Sequence, residues 1–488
     1  MKTFLAIDLG AESGRGVLVH LAGGKVEMEE IHRFANRPVR LGGTLYWDFP
    51  FLFAEILAAL KICAERAVAL EAIGIDTWGV DFGLLGADDK LLGLPVHYRD
   101  GRTQGIHDYS DPIMSRQEVF TSTSCEPWAI SSLFQLLAMQ RDKSPILAAA
   151  KTFLNMPDLI NFFLTGEKAS EKTIVSGANL MSTQGQWAKD VITRFKLPDI
   201  FGALNEPGTV LGPLSEAVRE QTGLGAVPVV ATCGHDTSAV AAAVPATGEN
   251  WAFLSCGTWS ILGRLLDAPI TSAEAFKLGF CNEYTLDAWF ICRNILGLWL
   301  VQELRRKWDR GADPWDYTRM TAEATQAKST GMFNVEDGTL MAPADMEQAQ
   351  YDLLAALKQP KPATRGELIR CVLESLALEY AYRLRMIDGL TGRTTETLYM
   401  VGGGIANTLL CQLTADALQI PVYAGADQCT ALGNALTTAV GMGVLKGPDE
   451  IREVMRNSFE LTLYEPRDTR LWTEKLDQYR QIKSLDRR

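Results

Sequence analysis

Residues 4–21 read FLAIDLGAESGRGVLVHL: an apolar run, a glycine-containing polar turn, then a second apolar run. Apolar residues bounded by Gly and Ser in this way predict two strands joined by a tight turn. Residues 251–266, WAFLSCGTWSILGRLL, repeat the arrangement roughly 250 residues later, a separation of one large domain. A hairpin tip of this kind presents backbone N–H groups and small hydroxyls without bulk, and such concave donors suit phosphate oxygens. Gly10, Gly14 and Gly257 allow backbone angles and close approach that other residues forbid. Either hairpin alone reads better as a plain turn. Two of them, each opening one half of the chain, point to a pair of jaws on one anion.

Composition sets the limits around this pattern. A chain of 488 residues favours at least two cores. Hydrophobic residues make up 47% and charged residues 22%, the balance of an ordinary soluble protein. A net charge of -12 argues against a surface for nucleic acid or anionic lipid. No apolar run is long enough to span a bilayer, and MKTFLAIDLG reads as a strand rather than a secretion signal. Nine scattered cysteines without a C-x-x-C pair predict reduced thiols and a cytoplasmic location. Five histidines make a histidine-rich metal centre improbable.

Strand-like and helix-like segments alternate along the whole chain, which predicts an α/β architecture. The segment 49–69 places Phe53, Ile56, Leu57, Leu60 and Ala64 on one helical face. A later helix runs through Leu373, Leu376, Ala377, Tyr380 and Leu384. AVPATGENW, residues 243–251, breaks the pattern with Pro245 and Gly248. It divides the chain into domains 1–245 and 246–488.

Two further stretches carry chemistry. VVATCGHDTSAVAAAV, residues 229–244, sets His235 and Asp236 where a buried strand gives way to a small-residue helix. An aspartate there either caps the helix or does chemistry. LYMVGGGIANTLLCQLTADAL, residues 398–418, is a strand, three glycines and a helix. Free N–H groups at such a helix start can receive an anion, and a close helix–strand contact explains the glycines as well. G-x-x-x-x-G-K-[ST], H-E-x-x-H and G-x-S-x-G are all absent, and so is H-R-D, without which the D-F-G at residues 81–83 makes no protein-kinase set.

The stretches DLGAESGR, EIHRFANRPV, WDFPFLF, IGIDTWGVDFGLL, GLPVHYRDGRT, GHDTSAV, CGTWSILG, RNILGLWLVQEL and VGGGIANTLLCQLTADAL run in order from residue 8 to about residue 419. Together they resemble the FGGY family of carbohydrate kinases. The resemblance implies two actin-like (ribonuclease H-like) ATPase domains with an inter-domain cleft. The sugar would lie mainly on the N-terminal side and ATP on the C-terminal side. It also implies Asp236 as the catalytic base. Asp8 would organise Mg²⁺, through water. Ala11, Glu12, Ser13, Gly14 and Arg15 match the first phosphate loop, Thr258 the second, and Gln302 and Gly403 other ATP positions. Gly79, His235, Asp236, Thr237 and Asn294 match sugar contacts, with Trp78 and Asp81 as walls of that pocket. Glu12 departs from the family, which more often has a small hydroxyl residue there.

The expected activity is therefore ATP-dependent phosphorylation of a ketose, L-rhamnulose to L-rhamnulose 1-phosphate in L-rhamnose catabolism. Small-molecule sugar and ATP are the expected partners, with no nucleic acid or membrane, and a monomer or homodimer as the assembly. The alternatives are a kinase for another sugar, such as L-fuculose or xylulose, and a non-catalytic actin-like sugar sensor.

Overall fold

The computed structural model describes residues 1–309 and 314–485. It divides into two compact units. The first comprises Met1–Val244, Leu265–Ile291 and Cys429–Ser458. Its six-stranded sheet runs in the order Thr209–Pro213, Pro228–Ala231, Leu70–Thr77, Lys2–Leu9, Ser13–Ala22, Lys25–Ala35.

Lys2–Leu9 pairs antiparallel with Ser13–Ala22, the hairpin read from the sequence, and parallel with Leu70–Thr77. Pro228–Ala231 runs parallel to Leu70–Thr77 on its other side. Three neighbouring strands therefore end at the same edge, where open α/β sheets place their chemistry. The register sets Asp8 directly beside Asp76. Beyond Ala231 the chain stays tied to that edge, because Thr77 N–H donates to the Gly234 carbonyl at 2.9 Å.

Helices cover both faces. Phe49–Glu65 starts at Asp48, whose carboxylate accepts from Phe51 N–H at 3.2 Å, and has Pro50 in its first turn. Its buried stripe is Phe49, Leu52, Ile56, Ala59, Leu60 and Cys63. The stripe is turned from the one read in the sequence. Phe53 and Leu57 are half-buried and flank the core, because the stripe follows the smaller Ala59 and Cys63 down onto the sheet.

On the other face, Cys429–Gly441 lies on the two central strands and crosses Asp236–Ala243. Two glycines make that packing possible. A Cβ on Gly433 would sit 1.9 Å from the Ala239 carbonyl oxygen, and one on Gly74 would sit 2.2 Å from Asn434 Oδ1. The helix thus presses its Asn434 into the middle of the sheet.

The second unit comprises Pro245–Arg264, Cys292–Gln428 and Phe459–Arg488. Its sheet repeats the device. Trp251–Cys256 pairs antiparallel with the strand beginning at Trp259, and parallel with Thr397–Val401. Val422–Ala424 continues in parallel and Thr462–Tyr464 closes the edge antiparallel. The long helix Arg365–Thr391 buries Leu373, Leu376, Ala377, Tyr380 and Leu384, the face read from the sequence. It packs on Thr408–Leu418, Tyr317–Gln326 and Thr469–Leu485.

All nine cysteines are buried free thiols. Among the described residues no helix is long and apolar enough to cross a membrane.

Gly433→Ala forces a methyl into a backbone carbonyl. It is expected to destabilise the first unit by about 1–3 kcal/mol, the range for overpacking. A lowered denaturant midpoint checks this, with Gly403→Ala as the control, since nothing lies within 4 Å of a Cβ at Gly403.

Candidate active site

Three carboxylates gather at the strand edge of the first unit. Asp8 ends the first strand and is held by one guanidinium: Arg15 Nε and Nη2 donate to Asp8 Oδ2 at 2.9 and 2.6 Å. Arg15 sits opposite Asp8 in the hairpin register, so the turn itself delivers the cation. Asp76 is fully buried. Asn434 Nδ2 donates to its Oδ2 at 2.6 Å, while its Oδ1 has no hydrogen-bond partner. Burial first, then the nearby Asp8, pushes the Asp76 carboxyl well above the usual carboxylate range. Asp236 completes the trio.

Asp236 is the first residue of the helix Asp236–Ala243, and His235 takes the cap position without a side-chain cap bond. The Asp236 carboxylate instead accepts from Thr237 N–H at 2.6 Å and from the Thr237 hydroxyl at 3.2 Å. Its side chain keeps 36% of its surface exposed. Burial raises the Asp236 carboxyl, the His235 cation draws it back down, and Asp8 adds to the rise.

His235 lies between two carboxylates. Nδ1 is 2.8 Å from Glu283 Oε2, and Nε2 is 3.4 Å from Asp236 Oδ1. Burial alone would lower the imidazole, but Glu283 and Asp236 outweigh it and raise His235 to about 9. The ring is flanked by glycines. A Cβ on Gly79 would come within 3.0 Å of Nε2, and one on Gly177 within 3.8 Å of Cε1. Next to Gly79, Val80 has φ 71°. That is a costly conformation for a β-branched side chain. The Val80 carbonyl is fixed there by donors from the Ser132 hydroxyl and Gln135 Nε2 at 2.7 and 3.1 Å.

The first hairpin tip carries the remaining residues. Ala11 and Ser13 are half-buried and Glu12 is exposed. Gly10 N–H donates to the Ser13 carbonyl at 2.9 Å, and Asn36 N–H to that of Glu12 at 2.9 Å. Gly14 does not face open space. A Cβ there would meet the Phe34 ring at 2.3 Å, so this glycine serves packing. Trp78 and Asp81 form a buried knot: Asp81 Oδ2 accepts from Trp47 Nε1 at 2.6 Å and Trp78 Nε1 at 3.1 Å. Burial raises Asp81 to about 6.

The second unit brings another set together. Leu298 N–H donates to the Gly257 carbonyl at 2.9 Å, and Trp299 N–H to that of Thr258 at 3.1 Å. The second hairpin tip is therefore stitched to the start of the helix Trp299–Trp308, which carries Gln302. Asn294 lies half-buried on the strand Ala288–Leu296 that leads into it. The three glycines divide their work. A Cβ on Gly402 would lie 2.9 Å from the Cys256 carbonyl oxygen, and one on Gly404 2.4 Å from Cys256 Sγ. Gly403 between them is exposed, with nothing within 4 Å.

These features fit a nucleotide with its cation. Gly403 leaves a flat open surface at the start of a turn with no side-chain cap. The strand edge of the first unit gathers three acidic side chains, one with an orphaned buried oxygen, a donor set that suits a cation.

Asp76, Asn434, Glu171 and Glu283 were not singled out from the sequence. Glu171 accepts from Gly234 N–H at 3.0 Å and Thr173 N–H at 2.7 Å, and burial raises it to about 7. Only Asp76 left a signal: AIGIDT repeats the strand-ending aspartate of FLAIDLG.

Two α/β units, each opening on an anion-suited hairpin beside a parallel strand, define an actin-like ATPase fold. Family models agree along the chain: the N-terminal domain of the FGGY family of carbohydrate kinases matches residues 3–243, and the C-terminal domain residues 252–442. The chain belongs to the FGGY family of carbohydrate kinases. It is a phosphotransferase with an alcohol group as acceptor, and kinases of this family use ATP with Mg²⁺.

Among similar proteins is a rhamnulokinase of Bacteroides thetaiotaomicron, 39% identical over 96% of this chain and 97% of that one. A rhamnulokinase of Enterococcus faecalis is 34% identical over 95% and 94%. The fold matches a xylulose kinase from Lactobacillus acidophilus, with TM-score 0.84 and 16% identity over 99% of this chain and 98% of that one. It also matches a glycerol kinase from Plasmodium falciparum solved with ADP, with TM-score 0.81 and 15% identity over 100% and 98%.

Asn434→Ala removes the 2.6 Å donor to Asp76. Leaving that buried carboxylate without it is expected to cost about 1–3 kcal/mol of stability, read from the thermal midpoint against wild type.

Proposed function

We propose that the chain phosphorylates L-rhamnulose at O1 with ATP, giving L-rhamnulose 1-phosphate and ADP in L-rhamnose catabolism. The choice of sugar rests on the relatives, which match almost end to end. The choice of base rests on one observation: of the three gathered carboxylates, Asp236 alone is substantially exposed.

Transfer of a γ-phosphoryl group asks for position and charge control rather than covalent help. Asp236 orients the O1 hydroxyl and accepts its proton as the O1–P bond forms and the bond to the β-phosphate oxygen breaks. Gly79, His235, Thr237 and Asn294 hold the sugar; Asn294 offers both a donor and an acceptor for a polyol. Ala11, Ser13, Arg15 and Thr258 receive phosphate oxygens, while Glu12 turns outward. Gly403 and Gln302 serve the nucleoside end. Asp8 would help to hold Mg²⁺, through water, and the ion would supply neutralisation of the phosphate charge when bound. Along the sequence the sugar side is 1–245 and the ATP side 246–488, with Leu265–Ile291 and Cys429–Ser458 packed into the first unit. The enzyme works in the cytoplasm, as a monomer or homodimer.

Asp236→Asn is expected to lower kcat by about 10²–10⁴, the usual contribution of a positioned base, with ATP affinity nearly unchanged. A coupled ADP-release assay on L-rhamnulose, L-fuculose and D-xylulose measures both the variant and the substrate choice. Turnover of L-rhamnulose alone supports the proposal. Preference for another ketose moves the substrate, and no turnover with any ketose favours a sensor.

A further inference from the structure

We propose that Glu283 is a positioning residue for phosphoryl transfer: it fixes and charges His235, and through His235 it aims Asp236 and keeps that base ionised. The inference rests on the base assignment proposed above and extends it by one residue and one mechanism.

The geometry is a chain of three groups within the first unit. Glu283 Oε2, His235 Nδ1, His235 Nε2 and Asp236 Oδ1 follow one another at 2.8 Å and 3.4 Å, across the ring. Glu283 is almost wholly enclosed, its side chain 7% exposed. A buried carboxylate needs a charged or donating partner, and the imidazole is the one placed for it. The carrier of Glu283 is fixed as well. Its strand, Cys281–Thr285, is tied to the base-bearing helix at the two residues that follow Glu283. The Ser238 hydroxyl donates to the Tyr284 carbonyl at 2.7 Å, and the Thr285 hydroxyl to that of Ser238 at 2.8 Å. Gly79 leaves room for the ring, since a Cβ there would come within 3.0 Å of Nε2.

The proton positions follow from this arrangement. An ionised Glu283 accepts from Nδ1–H, which fixes that tautomer. In the charged ring, Nε2 also carries a hydrogen and faces Asp236 Oδ1. If the ring loses a proton, it leaves from Nε2, and a lone pair then faces the carboxylate at 3.4 Å. Loss of that proton therefore turns an attraction on Asp236 into a repulsion.

The groups that act most on the ring are acids. Glu171 acts on His235 from the start of the helix Lys172–Ser176, and its carboxylate reaches Gly234 N–H. Asp8 acts on Asp236, and Asp76 lies within its field. On the far side, the Cys125 and Cys281 thiols lie within 4.8 Å of the Glu283 carboxylate. The surrounding acids favour the cation, and Glu283 is the one bonded to it.

The sign of the pH effect is then set. His235 stays charged up to about 9, and its charge lowers Asp236. Where the ring is charged and Asp236 ionised, the pair is imidazolium and carboxylate, the active form. Glu283→Gln removes the charge behind the ring. The basic limb of kcat/KM should move down by at least about one pH unit, toward ordinary histidine. The acidic limb should move up, because Asp236 loses part of the cation that lowered it. The active window narrows from both sides.

The test combines two readings on the full-length protein. Histidine-labelled wild type is titrated by NMR, the His235 signal among five histidines being assigned by its loss in His235→Gln. Wild-type His235 should titrate near 9 and shift down in Glu283→Gln. The pH profile of kcat/KM on L-rhamnulose is then compared for both proteins. A His235 titrating at or below the ordinary 6.5 in wild type overturns the proposal without any variant. So does a Glu283→Gln enzyme that loses activity equally at every pH, which is the behaviour of a merely structural residue. A wild type inactive on every ketose removes the kinase reading, whereas the NMR titration still decides whether Glu283 charges the ring.

Discussion

Three carboxylates at one sheet edge repel one another, and much of the first unit is arranged to offset that repulsion. Asp8, Asp76 and Asp236 cannot be brought together in a partly dry site without partners. Each has a different one. Asp8 takes the Arg15 guanidinium, delivered across the hairpin. Asp76 takes the Asn434 amide, delivered by a helix from the far end of the sequence. Asp236 takes the His235 cation, delivered by its own chain neighbour. The three partners differ in strength: a bonded guanidinium, a neutral amide and an imidazolium at ion-pair distance. The carboxyls of Asp76 and Asp236 are both raised, Asp76 well above its usual range. The edge thus holds groups of unequal acidity, the condition that lets one carboxylate act while others organise charge.

The close approach of Asn434 depends on an absence. Gly74 has no side chain where a Cβ would meet both Asn434 Oδ1 and Thr438 Oγ1, at 2.2 and 2.4 Å. Gly433 lets the same helix cross Asp236–Ala243. The helix is then held at the sheet by the Thr232 hydroxyl donating to the Asn434 carbonyl at 2.8 Å. Packing and electrostatics are linked here: a methyl group at either glycine would move the donor that Asp76 needs.

The hairpins, the strand-to-helix position of Asp236 and the triple glycine were legible in the sequence because each is local. Hydrophobic runs and glycine turns declare themselves within about ten residues. What was not legible is what arrives from a distance. Asn434 looks like any polar residue in a small-residue helix, and only the fold sets it against Asp76. Glu283 sits in CNEYT, a short strand with no motif. The roles of single glycines were also hidden. The sequence groups Gly402, Gly403 and Gly404, but two of them fit around Cys256 and only the middle one is open. Gly14, matched to the first phosphate loop, also makes room for the Phe34 ring. A glycine pattern records where side chains are excluded, and the excluding neighbour can be protein or ligand.

The same distinction bears on which acid serves as base. Asp8 is bonded twice by Arg15 through one oxygen, and accepting a substrate proton there would weaken that pair. Asp76 has a free oxygen but no exposed surface, so no hydroxyl can reach it. Asp236 has exposed surface, a nearby cation and donors from Thr237 to only one of its oxygens. A proton taken up by its other oxygen breaks no hydrogen bond to Thr237. Accessibility and low reorganisation therefore favour the same residue, Asp236, as the proposed base.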